Sequence, residues 1–161
     1  MISHTARTLI LIFFSMLIAA VLEVLPLPGW ASFFRPEWAF LILIFWLIAQ
    51  PQYVGVLTAF FLGIYMDLLM GTVLGQHAFA FTAAAYFLSQ YHYRFKFFLL
   101  RQQLIVVFIL TFLQLSLQFF TLKFFDFTVG WGNWVPAITS IFIWPWFYSL
   151  FREKNEMIGG R

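Results

Sequence analysis

Asp67 is the ionisable residue most out of place in this sequence. It lies in an apolar stretch that runs from Gln52 to Met70. A carboxylate costs about 3 kcal/mol at the middle of a membrane helix and less towards its end. Asp67 also completes a stripe, because Gly55, Ala59, Gly63, Asp67 and Gly71 recur every fourth residue and so share one helical face. Small residues at that spacing let two backbones approach closely. Two readings stay open. The stripe is a packing seam inside a bundle, with Asp67 bonding a neighbouring helix, or it is a partner interface or gated polar site. A second polar stripe, Thr111, Gln114, Gln118 and Thr121, offers amides and hydroxyls that either glue helices together or line a small-molecule pocket.

Other chemistry is thin. His4, His77 and His92 each lack a second ligand three or four residues away, so a metal site is not expected. The sequence has no cysteine, which removes disulfides, thiolate nucleophiles and Cys-ligated zinc. It contains no nucleophile elbow and no paired carboxylates. Gly71-Thr72-Val73-Leu74-Gly75 is followed by no lysine and reads as a turn, not a phosphate cradle. These absences predict a protein without catalysis, metal or cofactor.

The elements that must position these residues follow from composition. Hydrophobic residues make up 63% and charged residues 9% of the 161-residue chain, against about a quarter charged in soluble domains. Charge-free runs separate Arg7 from Glu23, Glu37 from Asp67, Asp67 from Arg94, Arg101 from Lys123 and Asp126 from Arg152. A bilayer crossing needs about 20 apolar residues, so the expectation is an all-α integral membrane protein. Its single domain, 1–161, is a bundle of six transmembrane helices near 8–25, 37–49, 52–70, 76–90, 102–122 and 134–151. Pro26 and Pro28 end the first helix, and no A-x-A cleavage site follows it, which predicts an uncleaved span. Gln50-Pro51-Gln52 marks the turn between helices 2 and 3.

Charge asymmetry favours six spans over five. With six, Arg7, Arg94, Lys96, Arg101, Arg152, Lys154 and Arg161 lie on one side and only Arg35 and Lys123 on the other. The positive-inside rule then makes both termini cytoplasmic. Trp30, Trp38, Trp131 and Trp134 fall at the outer interface, and Tyr53, Tyr91 and Tyr93 at the inner one. The net charge of +3 comes from these flanks, so no nucleic-acid partner is expected. Membrane lipids are, and homo-oligomers stay open.

Phe34-Arg35-Pro36-Glu37-Trp38, with the apolar run on to Gln50-Pro51-Gln52, resembles the rod-shape-determining MreD family. So do Gly63 with Asp67-Leu68-Leu69, Gly71-Thr72 and Leu74-Gly75, the Gln102-Gln103 pair, and Trp144-Pro145-Trp146. The resemblance covers nearly the whole chain and is strongest to Gram-negative members. It implies a bacterial inner-membrane scaffold of the cell-elongation machinery that regulates peptidoglycan synthesis. Such a scaffold binds MreC and works beside MreB, RodA and the elongation-specific transpeptidase. It also implies a fold similar to the substrate-binding subunits of energy-coupling-factor transporters, and hence an alternative function as a small-molecule-binding subunit of a vitamin-type transporter. For that role the outer loops offer Arg35, Glu37, Lys123, Asp126 and Asn133. In the outer-face motif Arg35, Pro36 and Glu37, the arginine is expected to pair with the carboxylate of Glu37, Glu23 or Asp126.

Overall fold

A computed structural model describes residues 4–26, 28–29, 34–95, 98–124 and 134–159, with the side chains of 4, 92–95 and 151–159 excepted. Trp30, Asp126, Trp131 and Asn133 lie outside the described residues. Among the described residues the chain is all-helical: α1 His4–Val24, α2 Trp38–Ala49, α3 Val56–Met70, α4 Gln76–Phe95, α5 Leu100–Phe124 and α6 Val135–Gly159.

The helices begin and end where local chemistry dictates. Pro51 to Val54 form a turn in which the Tyr53 and Val54 N–H groups donate to Gln50 O at 3.0 and 3.1 Å. This delays α3 to Val56, four residues later than the hydropathy pattern suggests. Gly55, extended at φ −141°, is its N-cap. At the other end Gly71 takes the left-handed conformation, φ 63° and ψ 29°, which glycine adopts without a Cβ penalty. α4 and α6 run on past the apolar stretches to Phe95 and Gly159. Hydropathy marks the apolar core of a span, whereas a helix continues into polar flanks wherever its backbone bonds do.

Five helices form a ring around the sixth. α1 packs on α3, α3 on α4, α4 on α5, α5 on α6, and α6 returns to α1, while α2 touches α1, α4, α5 and α6. α2 has only 12 residues, and its only polar side-chain groups are the indole N–H groups of Trp38 and Trp46. Every residue from Ala39 to Ile48 is at most 7% exposed. A helix apolar on all faces must be covered on all faces, and the ring does that. Direction alternates along the chain. α1 and α2 are antiparallel, Glu23 meeting Ala39 and Ser15 meeting Trp46. α2 and α6 are parallel, Glu37 meeting Ser140 and Phe45 meeting Tyr148.

The ring turns large apolar side chains outward. Leu9, Phe13, Phe14 and Ile18 of α1, Leu57 and Phe61 of α3, and Phe142 of α6 are all exposed. α1 from Thr5 and α5 are each long and apolar enough to cross a membrane, and α2, α3 and Val135–Leu150 are shorter apolar helices. At about 1.5 Å per residue, α2 is roughly 18 Å long, well short of a hydrocarbon core of about 30 Å.

Candidate functional site: two buried carboxylates and an apolar wall

Asp67 sits one turn before the end of α3, and its carboxylate faces the start of α4. Oδ1 accepts from Thr72 Oγ1 at 3.0 Å, His77 N at 2.9 Å and the His77 ring at Nδ1 at 2.8 Å. Oδ2 accepts from Gly75 N at 2.7 Å and Ala78 N at 3.5 Å. The first backbone N–H groups of a helix have no partner of their own, and the helix dipole favours negative charge there. Asp67 supplies both, from another helix. The side chain is buried, yet both oxygens are saturated, so burial of the charge is compensated.

Gly63 stands one turn earlier and explains how the carboxylate gets so close. A Cβ there would lie 2.3 Å from Ala78 Cα and 2.5 Å from Ala78 N. The α3 and α4 backbones therefore touch, as a small residue permits. Ala59, a turn further on, is fully buried. Gly55 and Gly71 are different, because a Cβ at either would meet nothing within 4 Å. The structure thus brings Ala59, Gly63 and Asp67 into the bundle interior and leaves Gly55 and Gly71 as helix caps.

A second carboxylate repeats the arrangement in the preceding hairpin. Glu23, buried at the end of α1, accepts from Ala39 N of α2 at 3.3 Å through Oε2. Glu37 is the N-cap residue of α2 but makes no side-chain cap bond; Glu23 serves instead. Glu37 turns outward from its own helix, with Oε2 accepting from Gln114 Nε2 of α5 at 2.8 Å and its N–H donating to Ser140 Oγ of α6 at 3.3 Å. One end of the bundle is thus tied by Glu23, Glu37 and Asp67 to four helix termini and to α5.

Arg35 bonds main chain where the sequence predicts a pair with Glu37 or Glu23, and the third candidate, Asp126, lies outside the described residues. Its guanidinium donates to the main-chain carbonyls of Glu23 and Leu25 through Nη1 and Nη2, so it caps the C-terminus of α1 and forms no carboxylate pair there. Those carbonyls lack intrahelical donors, and a fork of cationic N–H groups suits them well. Pro36 is buried, and its carbonyl accepts from Trp38 N at 2.9 Å. The helix-5 stripe divides: Gln114 bridges to Glu37, while Thr111 and Thr121 donate to Val107 O and Leu117 O of their own helix at 2.8 and 2.9 Å.

Sequence reasoning missed the role of Glu23 and the pairing of His77 with Asp67. Glu23 had a signal, since it too is an ionisable residue at the end of an apolar run. His77 had none, as its partner is ten residues away in another helix. Among the described residues no three His, Asp or Glu side chains converge to hold a metal.

The outer wall carries the remaining candidate surface. Phe13, Leu17, Phe61 and Tyr65 line a groove between α1 and α3 of about 280 Å³, floored by Met16 and Leu62. A helical ring with apolar side chains outside, and its few carboxylates consumed by helix ends inside, defines the class: an apolar all-α protein with helices long enough to cross a membrane. The model of the family described as rod shape-determining protein MreD matches residues 3–154. A protein of Haemophilus influenzae named rod shape-determining protein MreD is 32% identical over 143 residues, covering 88% of each chain. The chain belongs to the MreD family, and so to the proteins of rod shape determination. No solved structure matches it.

Proposed function

We propose that this protein is a non-enzymatic scaffold of the bacterial inner membrane, spanning it six times with both termini cytoplasmic and binding the transmembrane segment of MreC. Through MreC it serves the machinery of MreB, RodA and the elongation-specific transpeptidase. The family membership supplies the process. The observation that carries the mode of action is the exposed apolar face of α1, continuous from Leu9 through Phe13 and Ile18 to Leu25 and bordered by Leu57, Phe61 and Tyr65 of α3. At about 1.5 Å per residue the α1 part of this face is roughly 24 Å long, a fair match to the apolar length of a partner helix. Association there rests on van der Waals fit between side chains. The Asp67 stripe is the less suitable contact, since Gly63 and Asp67 are already occupied by α4. A scaffold of this kind influences its partner only through unequal affinity for the partner's conformations.

The absence of native cysteine makes disulfide cross-linking direct. Leu17→Cys and Phe61→Cys should each cross-link to single cysteines in the MreC membrane segment, while Phe142→Cys of α6, outside this groove and 78% exposed, should not. Equal cross-linking at all three positions, or none at Leu17 and Phe61, refutes the assignment of this face.

A further inference from the structure

Two amides on α5 are only partly accounted for by the packing of the bundle. Gln114 is fully buried, and its Nε2 donates to Glu37 Oε2 at 2.8 Å. An ionised carboxylate only accepts, so this bond fixes the orientation of the amide and leaves Oε1 as an acceptor. Among the described residues Gln114 Oε1 has no hydrogen-bond partner, and neither has Gln118 Nε2, a donor one turn further along the same face of the helix. Buried polar atoms are rarely left unpaired. We propose that the two amides form a binding site for a neutral hydroxyl group, which donates to Gln114 Oε1 and accepts from Gln118 Nε2. The hydroxyl is that of a water molecule or of a small uncharged polyol.

Position, spacing and charge select that occupant. Glu37 is the N-cap of α2, so its bond to Gln114 sets the start of the central helix level with that residue. α5 runs on from Gln114 to Phe124, about 15 Å at 1.5 Å per residue. The chain leading into α2 turns aside, since Arg35 binds the carbonyls of Glu23 and Leu25 at the end of α1. Gln118 therefore stands beyond the tip of α2, on the face of α5 that Gln114 turns towards the centre of the ring. Residues four apart on a helix have Cβ atoms about 5–6 Å apart, a span that one oxygen bridges with two hydrogen bonds of about 2.8 Å. An anion is repelled by Glu37 and by Glu23, whose carboxylate reaches Ala39 N in the first turn of α2. A cation is drawn to Glu37 but cannot accept from Gln118 Nε2, and it meets the positive end of the α2 dipole. An apolar group leaves both amide atoms unpaired. One neutral oxygen that donates and accepts meets every demand.

The inference is independent of the MreC reading. It is tested by X-ray hydroxyl-radical footprinting of the full-length protein in phosphatidylcholine nanodiscs, in which radicals formed from bound water oxidise the side chains beside it. Leu41 is fully buried and stands one turn after Glu37 on the same face of α2. It should be oxidised several-fold faster than Ile44, 1% exposed in the middle of the same helix. In the Gln114→Leu, Gln118→Leu double variant, which removes both polar atoms at similar volume, Leu41 should fall to the rate of Ile44. Gln118→Leu alone, which leaves the bond between Gln114 and Glu37 in place, should lower the rate partway. Glycerol, the probe for a polyol, distinguishes the two sources. If a polyol enters, glycerol slows oxidation of Leu41 more than that of the exposed Tyr53; if only water enters, it slows both in proportion. Equal rates for Leu41 and Ile44 in the parent protein overturn the proposal, as does a fast Leu41 that neither variant slows.

Discussion

Gly63→Ala adds one carbon at the place where α3 and α4 touch, and the structure fixes what that carbon meets. The new Cβ would lie 2.3 Å from Ala78 Cα, 2.5 Å from Ala78 N and 2.7 Å from His77 C, all main-chain atoms that cannot rotate away. Restoring ordinary contact at 3.4 Å requires α4 to retreat by about 1 Å, overpacking of a kind that costs about 1–3 kcal/mol. The same movement stretches the bonds from Gly75 N and His77 N to Asp67, now 2.7 and 2.9 Å. A buried carboxylate that loses donors is itself penalised by about 1–3 kcal/mol. Replacing a helical glycine with alanine works in the opposite direction, by about 1 kcal/mol in favour of the variant. The clash should win. Gly63→Ala is expected to lose about 2–4 kcal/mol, and Gly63→Leu more. The control is Gly55→Ser, in the same stripe, where a Cβ meets nothing within 4 Å and serine is a good N-cap. Unfolding in mixed detergent micelles titrated with sodium dodecyl sulfate, followed by circular dichroism, measures both. A Gly63→Ala protein within about 0.5 kcal/mol of the parent, the range of ordinary surface substitutions, would refute the reasoning, as would equal damage from Gly55→Ser.

Three further outcomes are expected. Asp67→Asn should reduce stability and membrane abundance almost as much as Asp67→Ala, because both oxygens accept from N–H or O–H groups and an amide NH2 would set a donor against donors; parent-like abundance of the Asn variant would contradict this. Arg35→Ala should cost about 1.5–3 kcal/mol, the worth of hydrogen bonds to a charged group, through the freed carbonyls of Glu23 and Leu25, with Arg35→Lys in between; sodium dodecyl sulfate titration decides, and an unaltered midpoint for Arg35→Ala would show the clamp to be dispensable. Single cysteines at Gln52 and Lys123, both exposed, should react with an impermeant maleimide from opposite sides of the membrane, and labelling of both from one side would exclude the six-span topology.

Much of the helical order was legible because apolar runs, prolines and paired glycines are local signals. The start and end of α2 followed from Pro36 and Pro51 within a residue or two. Its place at the centre of the ring was not legible, since a helix apolar on every face has no moment to point with. The stripe through Gly55, Gly63 and Gly71 shows the limit of periodicity. One spacing held three different causes: an N-cap, a backbone contact and a left-handed C-cap. Arg35 was legible as an ordering residue but not for its partners, because the sequence displays carboxylates and conceals unpaired carbonyls. Glu23 and Asp67 each act on the first turn of the next helix, a relation that exists only after the chain has turned back on itself.

The closure of the ring by α6 against α1 bears on the order of synthesis. α2 leaves the ribosome second, yet of its neighbours only α1 precedes it; α4, α5 and α6 all follow. Until they arrive, a helix of roughly 18 Å lacks most of the cover that buries it in the finished bundle. Glu37 then lacks its bonds to Gln114 and Ser140. The nascent protein is an open trough whose floor is α2, and the last helix made closes the ring around it. A chain that stalls or is cut before Ser140 therefore leaves the Glu37 N–H without the hydroxyl oxygen of α6 that accepts from it, an unpaired donor that sets an unfinished copy apart from a finished one.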